Sequence, residues 1–360
     1  MSITTNSFAE DVKTLEIGAS APAFELKGID DKSYTLDSFS SADILVVIFT
    51  ANHCPTAQAY EGRIIKLVKD YKNKGVAIVA ISSNNPKAVR LDEMGYTDLG
   101  DSFEDMKRRA RERDFNFPYL YDGDKQDAVR AFGATATPHV FIFDKSRKLR
   151  FVGRIDDYEN INKVTSHDTR NAIEALLAGK KVSPEKTKAF GCSIKWSDKI
   201  ISAKEAVKKW NTEPVSVEMV DIKGVETLVK NNSDNLRFIN LWATWCGPCI
   251  TEFPDLIEIF RMYRNRDFEM ITISADTPKK NKKVLQFLNK MHASTRNYHF
   301  SSDNKYDLIE AVDKEWPGSL PYTLIIKPGG EILYKKFGLI NAYEVKKIVV
   351  EYLGRYYEKF

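Results

Sequence analysis

Cysteine is scarce in this chain of 360 residues: only Cys54, Cys192, Cys246 and Cys249 occur. Four thiols cannot staple a chain of this length, which excludes a disulfide scaffold and makes the thiols candidates for chemistry instead. Long apolar runs are also missing. No window reaches the roughly 18 consecutive apolar residues that a membrane-spanning helix requires. Residues 1–15 have neither the charged start nor the apolar core of a secretory signal, although Ser7-Phe8-Ala9 resembles the small-x-small end of a cleavable one. An exported protein in mature or mis-started form therefore stays open beside a cytoplasmic one. Charge of one sign is not in excess: 54 basic side chains are interspersed with 50 acidic ones, and no nucleic-acid partner is implied. The runs Lys279-Lys280-Asn281-Lys282-Lys283 and Arg108-Arg109-Ala110-Arg111 read as exposed helix faces.

What is present is a plan used twice. Ile44-Leu45-Val46-Val47-Ile48-Phe49 is a continuous apolar run, the pattern of a strand covered on both faces. It leads through Cys54 and Pro55 into a helical pattern on Ile64, Leu67, Val68 and Tyr71, stopped at Gly75 and followed by the strand Val76–Ile81. Ala21–Leu26 and Ser33–Leu36 read as a hairpin ahead of it, Ser102–Phe115 and Gln126–Phe132 as helices behind it. Thr137-Pro138 then precedes a hairpin, and a helix over Asp168–Leu177 closes the unit. The second half runs Phe238–Trp242, Cys246, a helix on Phe253, Leu256, Ile257, Phe260 and Tyr263 interrupted near Pro254, the strand Met270–Ile273, a helix over Lys282–Met291, and Leu320-Pro321 before another hairpin. Cysteine and proline stand about 80 residues apart in both halves. The expected domains are 15–180 and 215–360, with 181–214 a linker holding one helix. Within the linker Phe190-Gly191-Cys192-Ser193 is an apolar island expected to dock on the first domain.

Trp245-Cys246-Gly247-Pro248-Cys249 carries the chemistry. Zinc uses the same cysteine spacing but would need two further ligands with metal-site spacing, and none follows. A buried strand delivers Cys246 to a helix start, where unpaired backbone N–H groups favour the thiolate, so Cys246 is the expected nucleophile. Cys249, one turn on, is the expected resolving thiol. No cofactor is called for.

On Trp242-Ala243-Thr244-Trp245-Cys246-Gly247-Pro248-Cys249 and Pro321, the second half resembles the thioredoxin superfamily, and within it the thiol-disulfide oxidoreductases of the TlpA and ResA type. The resemblance implies an α/β fold of central mixed sheets flanked by helices, a cis Pro321 presenting the Leu320 backbone to substrate, and bacterial export to the cell envelope. Thioredoxin proper carries a buried aspartate where Asn240 stands here, and Glu252 in the Cys-x-x-Glu-Phe-Pro pattern is the expected substitute proton acceptor for Cys249, a solvated surface glutamate being the alternative.

The first half looks like the redoxin branch that includes alkyl hydroperoxide reductase (AhpC/TSA) and peroxiredoxin-like proteins, on Ile17-Gly18, Pro22, Phe24, His53-Cys54-Pro55 and Pro138. It departs from that branch where a peroxide-holding hydroxyl would stand, because Ala51 occupies the place, and Ala57 stands where a neighbouring resolving thiol would be. Cys54 at a helix start beside His53 should favour thiolate, and with Pro138 it makes a possible second redox centre. Cys192 is its candidate disulfide partner, or else a buried free thiol. The function expected is thiol-disulfide exchange on protein substrates, in the reducing direction, with an upstream donor that stays unknown. The alternatives are a thiol peroxidase using Cys54 and a Cu(I)-binding chaperone; His53, Cys54 and His139 would converge in this fold as a further copper or zinc candidate.

Overall fold

Strand β3 (Ile44–Thr50) is buried along its whole length, and its side chains alternate between two apolar clusters. Ile44, Val46 and Ile48 pack with Tyr60, Ile64, Leu67 and Tyr71 on one face, while Leu45, Val47 and Phe49 pack with Phe24, Val129 and Phe132 on the other. A strand covered on both faces needs no polar residues, which is why it reads as an unbroken apolar run. The computed structural model describes residues 12–356; Ser7-Phe8-Ala9 lies outside them.

The chain divides into two compact units. Unit 1 contains β1 (Glu25–Gly28), β2 (Ser33–Thr35), β3, α1 (Pro55–Tyr71), β4 (Val76–Ser82), α2 (Phe103–Glu112), β5 (Tyr119–Tyr121), α3 (Asp127–Phe132), β6 (Ala136–Thr137), β7 (His139–Phe143), β8 (Leu149–Gly153), α4 (Asp168–Leu177) and β9 (Cys192–Ser193). Its main sheet has the order β2-β1-β5-β4-β3-β7-β8, with β3 parallel to β4 and antiparallel to β7. The two-residue strands β6 and β9 pair separately, antiparallel.

Unit 2 opens on α5 (Ile200–Asn211) and continues with β10 (Glu218–Val220), α6 (Ile222–Lys230), β11 (Leu236–Trp242), α7 (Gly247–Tyr263), β12 (Phe268–Ser274), α8 (Asn281–Lys290), β13 (Arg296–Phe300), α9 (Lys305–Val312), β14 (Tyr322–Ile326), β15 (Ile332–Phe337) and α10 (Ala342–Leu353). Its sheet order is β10-β13-β12-β11-β14-β15, with β11 parallel to β12 and antiparallel to β14. Its last five strands in that order repeat those of unit 1: β5-β4-β3-β7-β8 against β13-β12-β11-β14-β15. Each unit is a mixed sheet flanked by helices in the thioredoxin arrangement.

Three observations differ from the sequence expectation or refine it. Helix α7 is not interrupted at Pro254 but runs through it. The proline removes one N–H···O=C bond, a cost of about 3 kcal/mol in a helix interior, and burial of Phe253, Leu256, Ile257 and Ile259 on the same helix offsets it. The stretch 181–214 contains α5, and it divides between the units, unit 1 extending to Ile200. Unit 2 also takes in Arg90–Asp98 from the first half. There Tyr263 donates its hydroxyl to the Thr97 carbonyl at 2.8 Å, and Arg355 pairs with Asp98 at 3.0 Å.

Phe132 sits fully buried among Phe49, Phe141 and Phe143, with ring centroids 5.3, 5.6 and 5.9 Å away in edge contacts. Removing it opens a cavity that the packed strands β3 and β7 cannot close. Phe132→Ala should destabilise unit 1 by about 3–5 kcal/mol, read as a lowered urea midpoint; a loss below about 1 kcal/mol would mean the site relaxes.

Candidate active site

Both units end a buried strand just before a helix whose N-cap is a cysteine. In unit 2, Cys246 caps α7 from extended backbone, and the Cys249 N–H donates to its Sγ at 3.3 Å. Cys246 and Cys249 are disulfide-bonded, with Cα atoms 5.3 Å apart. Cys246 retains 5 % exposure whereas Cys249 has none, so an incoming thiolate can meet only the first sulfur. The loop that presents them is held by Asp276, which accepts from the Thr244 N–H and the Thr244 hydroxyl, both at 2.7 Å. Trp245 stands 53 % exposed beside the dithiol, with the Lys305 ammonium 4.7 Å over its ring. It shares a small depression with Leu320, Trp316 and Ile309. The Leu320–Pro321 peptide bond is cis.

Glu252 is buried on α7, one turn beyond Cys249. Its Oε1 accepts from Asn240 Nδ2 at 2.9 Å and its Oε2 from the Ile340 N–H at 3.1 Å; Asn240 also donates to Thr323 Oγ1 at 3.0 Å. Burial pushes the Glu252 carboxyl above its usual range, while the Ile340 and Asn240 donors pull it partway back. An amide at 240 can donate to this carboxylate, which an aspartate there could not. The network turns the expected surface alternative into a buried, held acid.

In unit 1, Cys54 caps α1 in the same way, with the Ala57 N–H donating to its Sγ at 3.3 Å. Cys54 has no exposure and is disulfide-bonded to Cys192, Cα to Cα 6.0 Å. The apolar island does pack on unit 1: β9 pairs with β6, placing Cys192 opposite Thr137, next to the cis bond that precedes Pro138. Ala51, Cys54 and Ala57 form a buried apolar group against which Cys192 packs. His53 points elsewhere. Its Nδ1 is 2.5 Å from Asp101 Oδ2, and Asp101 Oδ1 accepts from the Asn52 and His53 N–H groups at 2.7 and 3.1 Å. Burial raises the Asp101 carboxyl, but His53, Asn84 and the backbone donors outweigh it and leave it below the usual range. Asp101 and Asn84 were invisible in the sequence because nothing in their neighbourhood marks them; only the fold brings them to the loop. No group of three or more metal-ligating side chains forms a cluster among the described residues.

Residues 17–152 and 212–335 both match the AhpC/TSA family. The chain belongs to the AhpC/TSA family. Among curated proteins it is similar to the thiol-disulfide oxidoreductase ResA of Geobacillus kaustophilus, 28 % identical over 144 residues that span 40 % of this chain and 78 % of that protein. ResA of Geobacillus thermodenitrificans is 26 % identical over 144 residues, again 40 % of this chain and 78 % of the relative. Among solved structures, a hypothetical protein from Sinorhizobium meliloti 1021 shows 32 % identity at a TM-score of 0.46, covering 51 % of this chain and 97 % of that one. No helix among the described residues is long and apolar enough to cross a membrane.

His139, which follows Pro138, is buried at the start of β7. Its Nδ1 accepts the Thr135 N–H at 3.2 Å, which requires an unprotonated nitrogen, and burial lowers its pKa from 6.5 to about 4. The unfolded chain then binds the proton before the folded one does, so stability is intact above pH ~6.5 and falls as the pH drops towards about 4. Urea midpoints measured from pH 7 to pH 4.5 should decline, and His139→Leu should flatten that decline; an unchanged slope in the variant would assign it to other groups.

Proposed function

We propose that this AhpC/TSA-family protein is a thiol-disulfide oxidoreductase that reduces protein disulfides through Cys246 and Cys249. The observation that carries this reading is the asymmetry of the pair: a sulfur at the mouth of a helix N-terminus, accepting a backbone N–H, bonded to a second sulfur sealed beneath it. In the reduced protein the Cys246 thiolate attacks one sulfur of a substrate disulfide, whose S–S bond breaks and releases the first substrate thiolate. Cys249 then attacks Cys246 Sγ, the mixed disulfide breaks, the second substrate thiolate leaves, and the Cys246–Cys249 bond closes. Glu252, buried and raised in pKa, is the group to take the Cys249 proton. Trp245, Leu320 and Trp316 offer apolar surface for a polypeptide next to the sulfur, and the backbone at Pro321 would seat it.

The similarity to ResA and the Gly247-Pro248 pair support the reducing direction, and the same likeness supports an extracytoplasmic site of action. A thiol peroxidase centred on Cys54 gains no support from the geometry, since Ala51 brings no hydroxyl to that sulfur, whose apolar neighbours are Ala51, Ala57 and Cys192.

Thiol trapping with mass spectrometry across a graded redox buffer tests the direction. Cys246 and Cys249 should close together near thioredoxin's potential, about −270 mV; closure only near −120 mV would make the protein a disulfide donor. The acid has its own test. Glu252→Gln should leave alkylation of Cys246 unchanged while slowing substrate turnover by about tenfold to a hundredfold, and equal effects on both would reduce Glu252 to a structural part.

A further inference from the structure

The segment that carries Cys192 enters unit 1 as a short extended strand laid along β6. Ser193 pairs with Ala136 and Cys192 with Thr137 in antiparallel register, and the Thr137 hydroxyl donates to the Cys192 carbonyl at 3.5 Å. Thr137 O lies 3.4 Å from Cys54 Sγ, so one residue contacts both the attacking sulfur and the paired strand. Gly191 has φ +145°, and a Cβ there would run into the Thr137 carbonyl oxygen. Phe190 rests edge-on against Tyr60 of α1, with ring centroids 6.2 Å apart. Outside this stretch the chain is pinned: Thr187 donates its N–H to Val152 O at 3.0 Å, Ile194 is buried, and the Lys195 N–H donates to Asn84 Oδ1 at 2.8 Å. Between those anchors, Gly191 and Ser193 are exposed and Cys192 is half-buried.

This is the geometry of a peptide paired with a short strand, β6, whose strand partner is this segment itself, with the peptide's cysteine joined to the protein's own. We propose that the β6 edge beside Cys54 is a redox-gated site for an extended, cysteine-bearing polypeptide, filled by residues 190–193 as an internal occupant while Cys54 and Cys192 are bonded. The inference concerns a different cysteine pair from the one proposed above and does not rest on it.

Opening begins at the more exposed sulfur. A thiolate of an external protein dithiol attacks Cys192 Sγ, the Cys54–Cys192 bond breaks, and Cys54 leaves as a thiolate stabilised by the Ala57 N–H. The donor's second thiol then frees Cys192 and oxidises the donor to a disulfide. With β6 vacated, an extended peptide takes the place of β9 and pairs with Ala136 and Thr137 by main-chain hydrogen bonds. Cys54 attacks the peptide's disulfide sulfur and expels the other half as a thiolate. Cys192 returning to the edge attacks Cys54 Sγ, releases the peptide thiolate and restores the internal bond. Resolution and eviction are then one event, since the resolving strand and the substrate need the same two backbone partners.

The test uses the full chain with Cys246→Ser and Cys249→Ser, so that only this pair reacts. The probe is the peptide Lys-Ala-Phe-Gly-Cys-Ser-Ile-Lys, the sequence of residues 188–195, with its cysteine as a 2-pyridyl disulfide. With Cys192→Ser added, Cys54 should form a stable mixed disulfide, on the order of tenfold faster than with the same peptide carrying Val for Gly. With Cys192 present, the adduct should be transient and peptide thiol should be released as the internal bond closes. Equal rates for the two peptides, or release unaffected by Cys192→Ser, would overturn the proposal. A second measurement needs no substitution: on reduction of the unaltered protein, backbone amide exchange at residues 190–193 should accelerate while residues 194–197 stay protected. Protection retained at 190–193 after reduction would equally refute the gate.

Discussion

A sulfur atom standing as the acceptor of a helix N-cap is the interaction on which both halves of this protein depend. An N-cap must offer an acceptor to the orphan N–H groups of the first turn, usually an oxygen of Ser, Thr, Asp or Asn. Here Cys54 and Cys246 fill that place at the same N–H distance, 3.3 Å, and each begins a helix of 17 residues. The cap is stronger when the sulfur is charged, so the requirement of the helix and the requirement of the chemistry coincide. The buried strands β3 and β11 bring that sulfur to the end of the sheet where the helix begins.

What each unit then builds around the sulfur diverges at equivalent positions of the sheet. In unit 2 the pair Asn240 and Thr323 lies across β11 and β14, and Asn240 holds Glu252. In unit 1 the corresponding cross-strand pair is Ile48 and Val140, and the helix position matching Glu252 is Tyr60. A buried carboxylate needs donors on every side, and apolar Ile48 and Val140 supply none. Unit 1 therefore has no such acid, and the ring in its place carries Phe190 of the strand bearing Cys192. The proton handling of one unit is replaced in the other by a surface for a second chain segment.

The sequence disclosed the elements whose pattern is long or chemically singular. Ile44–Phe49 and Phe238–Trp242, the helices behind them, Cys246 with Cys249, and the repeat of parts were all legible because burial on two faces and helical periodicity leave unambiguous traces. Four short strands outside the expected hairpins left none: Ala136–Thr137, Cys192–Ser193, Glu218–Val220 and Arg296–Phe300 are too short to show a period. The hydrogen-bonded groups around each site were equally hidden. Asp276 and Asp101 lie 32 and 48 residues from the loops they hold, and an aspartate in a turn carries no mark of what it will bind. Pro254 misled because a local rule, that proline breaks a helix, yields when the flanking face is deeply buried.

Sequence distance also hides how a resolving thiol can lie 138 residues from the sulfur it serves. A free chain of that length would rarely return its end to one place, because loop closure costs entropy that grows with the logarithm of length. The anchors remove that cost. With Thr187 bonded to Val152 on one side and Ile194 buried on the other, the effective loop is the few residues between them, and Cys192 is held near Cys54 at the high local concentration of a short tether. The vicinal dithiol of unit 2 obtains the same proximity from a single helical turn. The two arrangements differ in what must move: Cys249 needs only its own side chain, whereas Cys192 has to carry its strand, and a strand that moves uncovers the edge it was paired with.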